Sequence, residues 1–530
     1  MIGCQNPILR GFNPDPSIVR VGQDYYIATS TFEWFPGIQI HHSTDLSNWA
    51  LISRPLDSKD LLDMKGVPDS CGVWAPCLSH DNGKFYLVYT NVKSFDGPWK
   101  DTPNFLATAD DIYGPWSDPI LLASYGFDGS LFHDSDGRKW YLSLTVDHRR
   151  SKFFGGIVIQ EFSEKEGRLV GPVVNIFEGT SLGITEGPHL YKRDGYYYLV
   201  TAEGGTEYGH AVSIARSKDI FGPYEIHPNN PLISSRDDPG HPLQKCGHGD
   251  FVWNEKDECF MVFLVGRPLS TMGICTLGRE TAIEQIQWEL NEWPILADGH
   301  RLPRKVISDL AGNTLSHHQD EHLDFSKDGL SIHYQSLRIP MDKSWIRKSD
   351  SGESLQIIGR ESLTSTHNQS LIARRIQHFE FEYTCKLSFD PLSYHHLCGL
   401  VVYYNTGHYY YLHASGGEKY GSLCINVIEC NNFITKELVQ DSIILEAPTI
   451  IFKVKGSRAE LTFYYGQDEE DLTQIEKTGD WSILSDDYVR EGSDRYRPAF
   501  TGSFVGVACQ DLTGMGRSCE VLSLYYKPIN

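Results

Sequence analysis

Apolar positions in the first 300 residues come in short bursts, each introduced by a polar turn. "VGQDYYIATS" (21–30), "DNGKFYLVYT" (81–90), "SDGRKWYLSL" (135–144), "RDGYYYLVTA" (193–202) and "EKDECFMVFL" (255–264) share this form. Aromatic and β-branched residues between turn signals predict strands rather than helices. A second short strand precedes each burst: "PSIVR", "APCLSH", "GSLFHD", "GPHLYK" and "GDFVWN". Further strands and polar turns follow, with "SNW", "GPW" and "GPY" near the unit ends. The units repeat roughly every 55–65 residues. Five units of about four strands predict a five-bladed β-propeller. A sandwich needs no such repeat, and a β-helix would have a shorter one.

The repeat ends near residue 300, and a segment of mixed polarity, 301–324, reads as a linker. From 325 to 530 the pattern is alternating strands without the long period, among them "FEFEYTCKLSF", "CGLVVYYN", "IIFKVKG" and "GSFVGVAC". Such strands between turns predict a β-sandwich. The expected fold class is therefore all-β, a propeller over 1–300 followed by a sandwich over 325–530.

In a propeller the first strand of each blade lines the central channel. Residues at the entrances to those strands converge on one end of the axis. That position holds Asp15, Trp74, Asp128, Glu186 and His248. Asp15 lies between Pro14 and Pro16, which restrict the backbone on both sides. Two carboxylates flanking a bond serve glycoside hydrolysis as acid and base, and a third carboxylate nearby raises the acid's pKa. An indole offers a face for a sugar ring. In the second domain, Phe500 follows Pro498 and precedes "TG" at a loop tip, whereas Phe504 alternates within a strand. Phe500 is therefore expected to reach over the propeller pocket, so that the sandwich completes it.

Charge narrows the substrate. The net charge of −22 repels nucleic acid and anionic membranes, which leaves a small neutral ligand. No stretch approaches the length of an apolar membrane helix. The N-terminus "MIGCQNPILRG" shows neither a basic nor an apolar leader region. Twelve cysteines without a C-x-x-C pair read as free thiols in a reducing cytoplasm.

Taken together, "NPDPS", "WAPC", "FDGSLF", "TEGPHLYK" and "LGRETAIEQIQW" resemble glycoside hydrolase family 43, particularly its β-xylosidases with a propeller and a C-terminal sandwich. The resemblance implies Asp15 as general base, Glu186 as general acid and Asp128 as the helper that orients Glu186 and raises its pKa. It further implies Arg279 reaching the nonreducing sugar, Phe32 and Trp74 as apolar walls, and His248 at the pocket floor. No cofactor is required. In some relatives that histidine neighbours a hydrated calcium ion, which makes His248 the candidate metal contact through water. The implied activity is inverting release of xylose from nonreducing ends of short β-1,4-xylo-oligosaccharides, by a cytoplasmic homo-oligomer, a dimer or tetramer. α-L-Arabinofuranosidase action is the alternative, alone or as a second activity. A non-catalytic sugar-binding propeller is the remaining one, though it would not need three carboxylates together. "GTSLG" around Ser181 matches a nucleophile-elbow pattern but leads into a turn and strand. The doublets His41–His42, His317–His318 and His395–His396 read as surface residues.

Overall fold

The computed structural model describes residues 3–149, 153–312, 320–417, 423–440, 443–445, 447–491 and 498–529. His317 and His318 lie outside the described residues. The first domain consists of five antiparallel sheets in chain order. The first is Ser17–Val21, Asp24–Thr29, Gln39–Ser43 and Ala50–Ser53, and the third is Ser130–His133, Lys139–Val146, Phe154–Ser163 and Arg168–Phe177. The fourth runs from Glu186–Arg193 to Glu225–Ile226, and the fifth from Gln244–Trp253 to Ile295–Leu296. In the second, Cys77–Asp81, Lys84–Val92, Asn104–Ala109 and Ile120–Ala123 are joined by Gly72–Val73, which pairs the far end of Lys84–Val92.

The hairpin turns follow from the sequence. Asn82-Gly83 and Asp194-Gly195 both adopt positive φ (50° and 77°, 51° and 78°), which two-residue turns matched to strand twist require. The innermost strands of successive blades touch in a closed ring, with Gln244–Trp253 returning to Ser17–Val21. The chain start strengthens the fifth blade, where Leu9 and Thr281 exchange backbone hydrogen bonds of 3.1 and 3.2 Å. The fold is thus a five-bladed propeller.

Among the described residues the second domain is two antiparallel sheets packed face to face, one of nine strands and one of eight that a propeller strand extends to nine. Strand Glu380–Ser388 alternates buried and half-buried positions throughout, as a one-sided strand does. Strand Glu321–Asp324 already pairs with the terminal strand Ser518–Pro528, so the sandwich begins slightly before residue 325. The domains also share a sheet: Trp34–Phe35 of the propeller pairs with Gln335–Leu337. Trp34 stacks on Phe504 with ring centroids 3.7 Å apart, inside one continuous apolar core. Among the described residues one short α-helix occurs, Asp486–Glu491. Among the described residues no helix is long and apolar enough to cross a membrane.

Two expectations about histidines fail. His41 and His396 are buried, at 7% and 1% exposure. Both strands are covered on most of both faces, so a histidine on either strand can be buried whichever way it points. His42, the outward neighbour, meets Asp24 at 2.7 Å.

Candidate active site

The five innermost strands enter register alike: Ser17 faces Ala28, Cys77 faces Val88, Ser130 faces Leu142, His189 faces Val200 and Asp250 faces Val262. Two residues before these stand Asp15, Ala75, Asp128, Gly187 and His248. Four of them adopt left-handed backbone, with φ of 53° at Asp15, 55° at Asp128, 54° at Gly187 and 51° at His248. This conformation is sparse for side-chain-bearing residues, least so for Asp, Asn and His, and clusters at functional sites. Trp74 and Glu186 sit one residue earlier, in line with Phe127. Asp15, Asp128 and His248 therefore share a blade position, while Glu186 and Trp74 share the adjacent one. In blade four the glycine takes the left-handed position. A Cβ on Gly187 would lie 2.8 Å from His248 Nε2, so the space beside His248, rather than φ, demands glycine there.

All these groups face one pocket of about 510 Å³, together with Phe32, Arg279 and Phe500. Every site residue expected from the sequence is brought together. Asp15 Oδ2 accepts from Ser30 Oγ at 2.6 Å, and its Oδ1 accepts from Arg279 Nη1 at 3.4 Å. His248 Nδ1 lies 3.7 Å from the same oxygen. Arg279 also donates to Thr206 Oγ1 at 2.7 Å and to the Phe500 carbonyl at 3.1 and 3.3 Å. Its guanidinium lies 5.3 Å from the Phe32 ring centre and 5.1 Å from that of Phe500.

Phe500 is thereby fixed from both sides, because its N–H donates to Ser70 Oγ at 3.1 Å. Its ring stands edge-on to Trp74 at 5.6 Å, and Trp74 meets Phe127 at 5.0 Å. The aromatic wall is continuous across the domain boundary, with Phe504 behind it in the core. Beneath the pocket, Asp250 gathers Ser17 Oγ at 2.9 Å, the Ile18 N–H at 2.8 Å and the Tyr191 hydroxyl.

Burial and the Asp15 charge push Glu186 up to about 7, against a lowering pull from Arg279. Burial first, then Glu186 and Asp15, push Asp128 well above the ordinary carboxyl range, although the Gly187 N–H pulls the other way. The charge acting on Glu186 is thus that of Asp15, while Asp128 and Glu186 titrate as an interacting pair. Burial lowers His248 to about 4, so its imidazole is neutral at pH 7.

The pocket also holds groups that the repeat pattern did not announce. Phe127 precedes Asp128 and would have been found by reading the position of Trp74 across the blades. His210, buried with Nδ1 3.0 Å from the Lys245 carbonyl oxygen, has no sequence signal. Ser181 is exposed in a turn ahead of strand Glu186–Arg193 and outside the pocket. No nucleophile elbow exists there.

The sequence profile described as "Glycosyl hydrolases family 43" matches residues 4–294, and one described as "Beta xylosidase C-terminal Concanavalin A-like domain" matches residues 322–527. A protein of Bacillus subtilis described as a beta-xylosidase is 46% identical over 521 residues, covering 96% of both chains. A Humicola insolens protein described as xylosidase/arabinosidase 43B is 45% identical over 99% of this chain and 98% of its own. The crystal structure of a xylan beta-1,4-xylosidase from Bacillus halodurans C-125 superposes with a TM-score of 0.93 at 47% identity, covering 99% of this chain and 100% of that one.

Proposed function

The chain belongs to glycosyl hydrolase family 43, and we propose that it is an exo-acting, inverting β-xylosidase that removes xylose from nonreducing ends of short β-1,4-xylo-oligosaccharides. The observation that carries this reading is the pocket itself. Three carboxyl groups face one another there, and one of them, Glu186, is held protonated near neutrality. Glu186 then protonates the leaving glycosidic oxygen. Asp15, held by Ser30 and Arg279, accepts a proton from the water that attacks the opposite face of the sugar. Asp128 orients Glu186 and shares its titration. Trp74, Phe127 and Phe500 give the pentose an apolar seat, and Arg279 reaches its hydroxyls.

α-L-Arabinofuranoside cleavage is a second activity of the same pocket, favoured by the 45% identical relative described with both names. A purely sugar-binding propeller gains nothing from burying three acids together, since each buried charge costs free energy. Calcium enters only as a hydrated ion touching His248 through water. A hard cation needs several oxygen ligands, and the Asp15 carboxylate beside His248 is already held by Ser30 and Arg279. No step uses the ion. The described cysteines are all free and mostly buried, which suits a reducing cytoplasm, and a dimer or tetramer remains part of the proposal, to be read by light scattering.

The test is hydrolysis of nitrophenyl β-xyloside and α-arabinofuranoside, with the first product from xylobiose followed by NMR. Initial α-xylose is expected. Initial β-xylose would overturn inversion, and inactivity on both glycosides would overturn the enzyme reading.

A further inference from the structure

A second cavity, of about 560 Å³, lies between the first propeller blade, the chain start and the sandwich. Its lining is unusual for a chain of net charge −22. Arg10, Arg374 and Arg375 border it, with His41, His333 and the carboxylates of Asp320 and Glu321, and Arg54 lies directly behind Gln39. Arg54, Arg374 and Arg375 are buried, at 8%, 4% and 6% exposure.

Their counter-charge is thin. Arg374 pairs with Glu321. Arg54 donates only to neutral oxygens, Tyr334 O and Gln39 Oε1, both at 2.9 Å. Arg375 likewise donates to Phe12 O at 2.5 Å and to Gln335 Oε1. No carboxylate approaches Arg10, Arg54 or Arg375 within ion-pair distance among the described residues. Burial lowers Arg54 to about 9 and Arg10 to about 10, and burial together with Arg54 lowers Arg375. Burial is the leading cause for all three, and Glu280 pulls Arg10 the other way. Guanidinium groups nevertheless remain charged at neutral pH.

Donor capacity is also unused. Arg10 Nε, Arg54 Nε, Arg374 Nε and Arg375 Nη2 are buried with no hydrogen-bond partner. Capping backbone carbonyls at a domain boundary would account for one or two of these arginines. It does not account for four unused guanidinium donors on the arginines of one cavity, since buried polar groups are normally satisfied.

We propose that this cavity binds a small oxyanion of the phosphate class, inorganic phosphate or the phosphate of a sugar monophosphate, held by Arg10, Arg374 and Arg375 with Arg54 behind them. A planar guanidinium matches two oxygens of such an anion at once. The volume exceeds that of a bare phosphate and admits an attached sugar. Bound there, the anion ties the chain start, blade one and the sandwich together.

Calorimetric titration of the full-length protein at pH 7.5, at ionic strength fixed with chloride and with xylose filling the catalytic pocket, tests this. Inorganic phosphate and glucose 6-phosphate are the ligands, and glucose is the control. One site per chain is expected for at least one phosphate. Arg10→Gln, a half-buried position outside the catalytic pocket, should weaken it about tenfold or more and leave xyloside hydrolysis within twofold. Tighter binding of glucose 6-phosphate assigns the sugar monophosphate, and equal binding assigns the bare anion. Heats equal to those of chloride, or binding unchanged in Arg10→Gln, would each overturn the proposal.

Discussion

Replacing Glu186 by Gln separates its chemical role from its electrostatic cost. Burial and Asp15 raise the folded-state pKa from the ordinary 4.5 to about 7. A carboxyl raised in this way binds its proton more tightly in the folded protein. Its stabilising contribution is fully present below pH 4.5 and is lost as pH climbs to about 7. The rise corresponds to about 3 kcal/mol for the fully ionised group, at 1.36 kcal/mol per pH unit. Gln, neutral at every pH, does not incur that cost. Thermal melts of both proteins should therefore nearly coincide at pH 4.5 and separate by a few degrees at pH 8, with the variant more stable. The same protonation sets the activity profile. Wild-type turnover of xylobiose should fall about tenfold per pH unit above 7, as the general acid ionises. An aryl xyloside with a good leaving group should lose less, because its departure needs less protonation. Glu186→Gln should cut xylobiose turnover by 10²-fold or more, in line with general acid catalysis worth about 10²–10⁴. A flat xylobiose profile to pH 9, or a stability gain that is equal at pH 4.5 and pH 8, would refute the assignment.

Asp15→Ala should lower kcat by about 10²–10⁴-fold on aryl and natural substrates alike, since water activation is needed for both; near-wild-type turnover would remove it as the base. Phe500→Ala should reduce kcat/KM by roughly 10- to 100-fold, the loss expected for one apolar wall, measured on xylobiose. Phe504→Ala, which empties the seat against Trp34, should instead cost about 3–5 kcal/mol of stability in urea unfolding, with KM little changed. Exhaustive chelation should leave xyloside hydrolysis within twofold, and a larger loss restored by calcium would give the ion at His248 a role that the donor set does not foretell.

The blades were legible because each carries its own local signal, a polar turn followed by a burst of alternating aromatics. The same locality revealed the convergence of Asp15, Asp128, Glu186 and His248. It did not reveal the one-residue offset that puts Glu186 beside Gly187 in the left-handed position, since register within a strand depends on the partner strand. Nor did it foretell that Trp34–Phe35 pairs with Gln335–Leu337, a contact spanning some three hundred residues. The buried His41 was missed for a related reason. A histidine facing a polar interdomain cavity looks in sequence like one facing water.

Phe500 was legible for a different reason, and it bears on why the enzyme needs two domains. A propeller pocket is open at one end of its axis, so the blades alone cannot limit cleavage to a terminal sugar. The closing wall must come from outside the ring, and it must be held rigidly enough to define a subsite. Here Arg279 from the fifth blade grips the Phe500 carbonyl, and Ser70 beside the second blade accepts from its N–H. Ser70 is itself tied to Glu33, whose carboxylate accepts the Ser70 N–H at 3.1 Å. The next link comes from the sandwich, as Arg338 donates to Asp69 at 2.7 Å and Val67 O at 2.6 Å. Arg279 contacts Asp15, Phe500 and the loop carrying Thr206 at once. Losing the sandwich would therefore remove a partner from the residue that positions Asp15. On this argument the second domain is part of the catalytic geometry, and exo specificity and acid–base chemistry cannot be separated by cutting the chain between the two folds.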